Sequence, residues 1–577
     1  MKKVLAGIAC LALATGASGG WKRAPEHQRP KAAPAAAPSF AAYEKKTIDR
    51  WFDLDPAAGV YQGAHKFDGR LPDWSDAGLK QRAAFLRSVI ADAKGFTGLS
   101  PADAFERDSL VQLARKHLFW IETADWPHRN PAWYIDNGLD PNTYLTREYA
   151  DKPTRMRALI AFFRQVPTAA KNIRANLKTP LPASYIKHGV AGYAGFAGFY
   201  RDDAPSAFAD VKDPALQAQM REASGAAAAA MDNLANWLRE QKATQTQAFA
   251  MGPALFSQML RETEAVDVPL GELERVGRAD LARNQQALKE ACAAFAPGQT
   301  IQACYGKVNA DKPEGGPVAE ATRQIPGLTA FVREKDLLTI PGTEQALVRE
   351  SPPYNRQNGA YIDPPGPLDK GIPSIYYISP PDPSWPKEKQ LEYIDGKNDL
   401  LFTTVHEVMP GHFLQFLHSN RVPSLVNSLF VGYAYAEGWA HYSEEMMWEA
   451  GLGNGDPAVH IGQLSNALLR DCRFLSAIGM HARGMTQAQS EAMFRDECYQ
   501  VAGTAEQQAA RGTYDPAYLN YTMGKLMIRK LRADWTAPRG GRTAWKAFHD
   551  QFLSYGGPPI PLVRQAMMKE PAPRAAF

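Results

Sequence analysis

Thr404-Val405-His406-Glu407-Val408-Met409-Pro410-Gly411-His412 is the stretch from which the rest of the chain is best read. Two imidazoles six residues apart enclose a carboxylate, a proline and a glycine. Zinc takes neutral imidazole and carboxylate ligands in a tetrahedral set and leaves one position for water. A Glu directly after the first His can accept a proton from that water. The six-residue spacing conflicts with an ordinary helix. Six residues turn roughly 240° beyond a full circle, against about 40° for a four-residue spacing, so a regular helix points the two rings apart. Pro410 and Gly411 break or bulge helices. The expected geometry is therefore a helix interrupted at Pro410–Gly411, with His412 swung back to the metal held by His406.

Downstream stands Tyr435-Ala436-Glu437-Gly438-Trp439-Ala440-His441-Tyr442-Ser443-Glu444. Glu437 lies far enough beyond His412 for a turn and an antiparallel helix, from which it could supply a third ligand. His441 is one turn further on the same face, as a supporting partner or an alternative ligand, and Glu444 could orient an imidazole. Otherwise Glu437 and Glu444 are ordinary surface carboxylates. Tyr433, Trp439, Met446 and Met447 argue against that, because an ionised carboxylate among such neighbours needs a partner. Six of the twelve histidines fall between 406 and 481.

Around this stretch the periodicity is helical, at about 76–95, 153–177, 213–241 and 270–295, then almost continuously from 387 to 554. Ser100-Pro101-Ala102-Asp103 reads as a helix start, leading into Leu110, Leu113, Leu118 and Trp120. The Pro/Gly-rich part from about 300 to 386 holds two strand-like runs, Thr329–Leu338 and Ile372–Ser379. Tyr376 and Tyr377 lie in the second, just before the metal helix, and an edge strand there could pair with an extended peptide. The expected fold is mostly α: a large helical arrangement around a cleft with a small β element. It forms a single domain over 41–577, with two lobes, about 41–300 and 301–577, as a further option.

The N-terminus has a basic start (Lys2, Lys3), an apolar stretch from Val4 to Ala14 and small residues to Gly20. This reads as a cleaved signal peptide over 1–20, and hence a periplasmic or secreted protein. The apolar stretch is shorter than the ~20 residues that span a bilayer. Cys10 sits inside it, too near the start to read as a lipid attachment site. Residues 21–40, mostly Pro and Ala, read as a disordered tether. The formal net charge is only +4, and no Lys/Arg run offers a stripe for nucleic acid. Four cysteines remain in the mature chain. Phe295-Ala296-Pro297-Gly298 lets Cys292 and Cys304 meet, leaving Cys472 and Cys498 either paired or buried as thiols.

The pattern His-Glu-x-x-Pro-Gly-His-x-x-Gln (His406 to Gln415), then Glu-Gly-Trp-Ala (Glu437 to Ala440), resembles the bacterial domain-of-unknown-function 885 family. Leu469-Arg470-x-x-Arg473, Gly479-Met480-His481 and Tyr521-x-x-Gly524-Lys525 add to the match. Members resemble gluzincin metallopeptidases such as angiotensin-converting enzyme and neurolysin. The resemblance implies a helical fold around a deep channel and one zinc per chain held by His406, His412 and Glu437, with Glu407 as general base. Tyr521 resembles the late tyrosine that gluzincins use to stabilise the oxyanion, and His481 is a second candidate for that task. Arg470 and Arg473 could hold a substrate carboxylate, or pair with Asp471 or Glu497. The expected function is a zinc peptidase. A zinc hydrolase of another amide or ester and a non-catalytic binding protein are the alternatives. Substrate, cleavage direction and oligomeric state are not legible.

Overall fold

A computed structural model describes residues 39–243, 248–352, 356 and 359–577. The signal peptide, Cys10 and nearly all of the tether lie outside the described residues. Phe40, the last residue of the expected tether, is instead buried and opens the first helix, because its ring packs against Tyr43 and Phe96. Phe40–Phe577 forms one compact unit.

Its first half is built on helices α1 (Phe40–Leu54), α2 (Asp76–Lys94), α3 (Pro101–Leu118), α4 (Lys152–Asn176), α5 (Ala183–Gly198) and α6 (Pro214–Arg239). The start of α3 is capped as its sequence implies: Ser100 Oγ accepts the Asp103 amide at 3.1 Å. The second half contains α7 (Pro253–Glu264), α8 (Leu270–Phe295), α9 (Pro317–Glu334), α10 (Lys397–Glu407), α11 (His412–Ser419), α12 (Tyr433–Glu449), α13 (Pro457–Ala482), α14 (Ala502–Tyr514) and α15 (Asn520–Thr536). Each half has its own apolar core. The changeover falls near residue 240, not 300, because α8 packs along α13 inside the second core.

The only sheet among the described residues has three strands in the order β1 (Leu347–Glu350), β3 (Ile375–Ile378), β2 (Ala360–Asp363). β1 pairs parallel and β2 antiparallel with β3. Two sequence expectations change here. The run Thr329–Leu338 is the end of α9 and the turn after it, since Ala321, Leu328 and Val332 bury one helical face. And β3 is the central strand, so Tyr376 and Tyr377 are buried with no free backbone edge to offer a peptide; the edge toward the cavity belongs to β2. Both disulfides, Cys292–Cys304 and Cys472–Cys498, are formed. No helix among the described residues is long and apolar enough to cross a membrane.

Candidate metal centre

α10 ends at Glu407 and α11 starts at His412, so the helix breaks where the sequence places Pro410 and Gly411. The break is held by tertiary bonds. The Gly411 amide donates to Val405 O at 2.9 Å, and Trp439 Nε1 donates to Pro410 O at 2.9 Å. Residue 411 must be glycine for steric reasons: a Cβ there would lie 1.8 Å from the His406 carbonyl oxygen. This turn brings the two imidazoles edge to face, with centroids 4.8 Å apart.

α12 faces them as an unbroken helix. Tyr435, Trp439, Tyr442, Met446 and Met447 are all fully buried on it, each stabilising by about 2 kcal/mol before entropy is counted. α12 crosses α15 at Gly438 and Gly524, where a Cβ on Gly438 would sit 2.5 Å from the Gly524 Cα. That close crossing sets Tyr521 beside Glu437. Beneath the site, fully buried Lys525 on α15 meets Asp280 of α8, Glu445 of α12 at 3.7 Å and Asp471 of α13 at 4.0 Å. Such a buried ionic cluster fixes the register of four helices more than it adds stability.

The ligating atoms of His406, His412 and Glu437 all fall within 4.8 Å of one another. Glu437 Oε2 is 3.3 Å from each Nε2. Bonds of about 2.0–2.2 Å to a tetrahedral zinc require ligand–ligand separations of about 3.3–3.5 Å, so these contacts have the length of a tetrahedron's edge. The tautomer agrees. His406 Nδ1 donates to Glu444 Oε1 at 2.7 Å, which leaves the Nε2 lone pair facing the Glu437 carboxylate. Two electron-rich atoms in that position call for a cation between them. Without a metal the cation is a proton. Burial and Arg470 lower the His406 pKa, but Glu437 and Glu444 outweigh them and raise it to about 9. A divalent ion must displace that proton. The donor set fits zinc.

Around the three candidate ligands, Glu444 is completely buried and holds His406 through one oxygen and His441 Nδ1 through the other, at 3.3 Å. His441 therefore supports Glu444 and lies outside the ligand set. Burial drops its pKa to about 3, so it is neutral. Arg470 pairs with Glu444 at 3.3 Å and with Asn466, not with Asp471 or Glu497; Asp471 goes to Asn284, and Glu497 to Arg278. Arg473 donates Nε–H to Gln508 at 2.8 Å. Its pKa is lowered to about 10 by burial and then by the Arg511 charge.

His406, His412, Glu437, Arg470 and Arg473 line a cavity of about 2430 Å³ together with Glu407, Tyr521, the β2 strand and residues of α5. Tyr521 stacks toward His406, with ring centroids 6.2 Å apart, and burial followed by the Glu437 charge raises its pKa. His481 does not belong here. It lies against Phe249 and Phe256, donates Nε2–H to Gly512 O at 2.7 Å, and lines a separate small cavity. Sequence reasoning missed the contributions of α5 and β2 to the wall; no motif marks either.

Two solved structures share the fold. A candidate lipoprotein of unknown function from Shewanella oneidensis is 26% identical, with a TM-score of 0.76, over 92% of this chain and 100% of that one. A candidate lipoprotein from Colwellia psychrerythraea is 18% identical, with a TM-score of 0.77, over 92% and 98%. No curated protein matches. A family profile matches residues 56–567, which span the whole cavity wall with His406, His412 and Glu437, and the chain thus belongs to the family described as bacterial protein of unknown function (DUF885).

Proposed function

We propose that this protein is an exported zinc peptidase, binding one zinc per chain through His406, His412 and Glu437. The observation that carries the reading is the pair of 3.3 Å contacts from Glu437 Oε2 to the two imidazoles, beside Glu407 in the wall of a large cavity. A bound zinc ion supplies Lewis acidity, making a nearby water acidic and a substrate carbonyl electrophilic. Glu407 takes the water's proton and returns it to the leaving amine. Tyr521, kept protonated by burial, donates its hydroxyl hydrogen to the oxyanion. Glu444 and His441 hold the His406 ring in the tautomer that offers Nε2. Two disulfides, the N-terminal segment and the description of two relatives as lipoproteins support export.

Metal analysis of the purified mature protein and its variants tests this. About one zinc per chain is expected in the parent, and none in His406→Ala or Glu437→Ala. Glu407→Gln keeps its zinc and loses peptide hydrolysis by on the order of 10²–10⁴-fold. A parent that takes up no zinc, or a Glu407→Gln protein as active as the parent, removes the reading.

A further inference from the structure

The three cations of the cavity wall near Tyr521 are not equally neutralised. Arg470 has Glu444 and Arg511 has Asp515 at 2.9 Å. Among the described residues Arg473 has no carboxylate within ion-pair distance, and its one hydrogen bond uses Nε, to the neutral amide of Gln508. Its residue is only 8% exposed, and what exposure it has is to the cavity. A buried guanidinium without a counter-charge is costly, and one whose terminal nitrogens are free is shaped to take a carboxylate with two parallel bonds. The Tyr521 ring fixes where. It lies 4.8 Å from the Arg473 guanidinium and 6.2 Å from the His406 ring. The guanidinium is thus no farther from the His406 ring than those two distances end to end, and an extended chain advances roughly 3.3–3.6 Å per residue, so a carboxylate at Arg473 is at most about three residues beyond a carbonyl at the metal site. Elsewhere the wall carries the carboxyl groups of Asp202, Asp203, Glu388 and Glu392 with Lys389 among them.

We propose that Arg473 binds the C-terminal carboxylate of a peptide, so that the protein removes one to about three residues from free C-termini. This rests on the peptidase reading and assigns its direction. In the reaction, water adds across the C–N bond: its hydroxyl goes to the acyl carbon and its proton to the departing amine.

The test pairs hydrolysis with binding, using short peptides that differ only in a free or amidated C-terminus. The zinc-loaded parent should cleave the free acid on the order of 10- to 100-fold faster in kcat/KM, releasing a C-terminal product of no more than about three residues. Arg473→Ala should abolish the difference, and Arg473→Lys should restore part of it. Calorimetric binding to the Glu407→Gln protein should show the same preference for the free acid. Equal cleavage of acid and amide by the parent, or internal cleavage, overturns the inference while leaving the peptidase standing. No cleavage of either peptide, with Arg473-dependent binding of the free acid alone, sustains the carboxylate site and removes the peptidase. No cleavage and no preference in binding overturns both.

Discussion

The α10–α11 segment and α12 face each other across the candidate metal site and present their side chains by opposite means. His406 and His412 come from two helices separated by the irregular residues 408–411, and Glu437, His441 and Glu444 from one unbroken helix. On α12 the helical period alone aligns the three groups, and the apolar residues between them seat the helix. On the broken segment, local geometry would separate the imidazoles. Their convergence depends on contacts made elsewhere, by Trp439 Nε1, Val405 O and the absence of a side chain at 411. A regular helix tolerates single substitutions by small adjustments, whereas a break held by a few contacts should fail abruptly.

The largest effect should follow from Gly411→Ala. The added methyl carbon has nowhere to go, since backbone atoms of His406 and Val405 surround its position. Overpacking typically costs about 1–3 kcal/mol, and a clash with rigid backbone belongs at the upper end. Zinc content should fall to background with a lowered unfolding temperature, both read on the same preparation. Full zinc loading in this variant would mean that the broken segment is as forgiving as α12.

Glu444→Gln probes the regular side of the comparison and should do less. The amide can still accept from His406 Nδ1, but it no longer neutralises Arg470. Removing a supporting carboxylate of this kind typically weakens metal affinity by about 10- to 100-fold. Competition with a chelator of known affinity measures it. The helical circular dichroism should be unchanged, which separates a weakened site from a misfolded chain.

The same contrast explains what could be read in the sequence. Long helices with regular apolar spacing, such as α2, α4, α6 and α8, fall within a residue or two of their expected bounds, because burial of one face determines both. The Pro410–Gly411 break was legible because two residues with known backbone behaviour sit between imidazoles that only a discontinuity lets meet. What was not legible depends on partners distant in the chain. Thr329–Leu338 looks like a strand until the cores that α9 packs against are known. Nothing in Ile375–Ile378 says whether the strand is central or at an edge; that is decided by β1 and β2 on either side. His481 shares a helix with Arg470 and Arg473, yet it lies in a different pocket, since one helix serves several surroundings along its length. The choice of Glu444 rather than Asp471 as partner of Arg470 likewise follows from helix packing.

The smallest effect concerns how α12 begins. Glu264, at the end of α7, is buried against the first turn of α12, with Asn520 Nδ2 donating to it at 3.0 Å. Burial raises its pKa from 4.5 to about 7 against the opposing pull of Lys116. The folded state thus retains a proton that the unfolded state has released between pH 4.5 and 7. Stability is greatest below that window, falls as pH rises through it, and stays reduced above it. Each pKa unit corresponds to about 1.4 kcal/mol. Glu264→Gln cannot ionise, so it avoids the loss, but it gives up the attraction of a carboxylate to a helix N-terminus, about 0.3–1 kcal/mol. The expected balance is a variant more stable than the parent at pH 8 and equal to it near pH 4.5, with zinc content unchanged. Thermal unfolding at the two pH values reads the difference. A variant less stable than the parent at pH 8 would show that the ionised carboxylate caps α12, so that this helix too depends on a contact from outside itself.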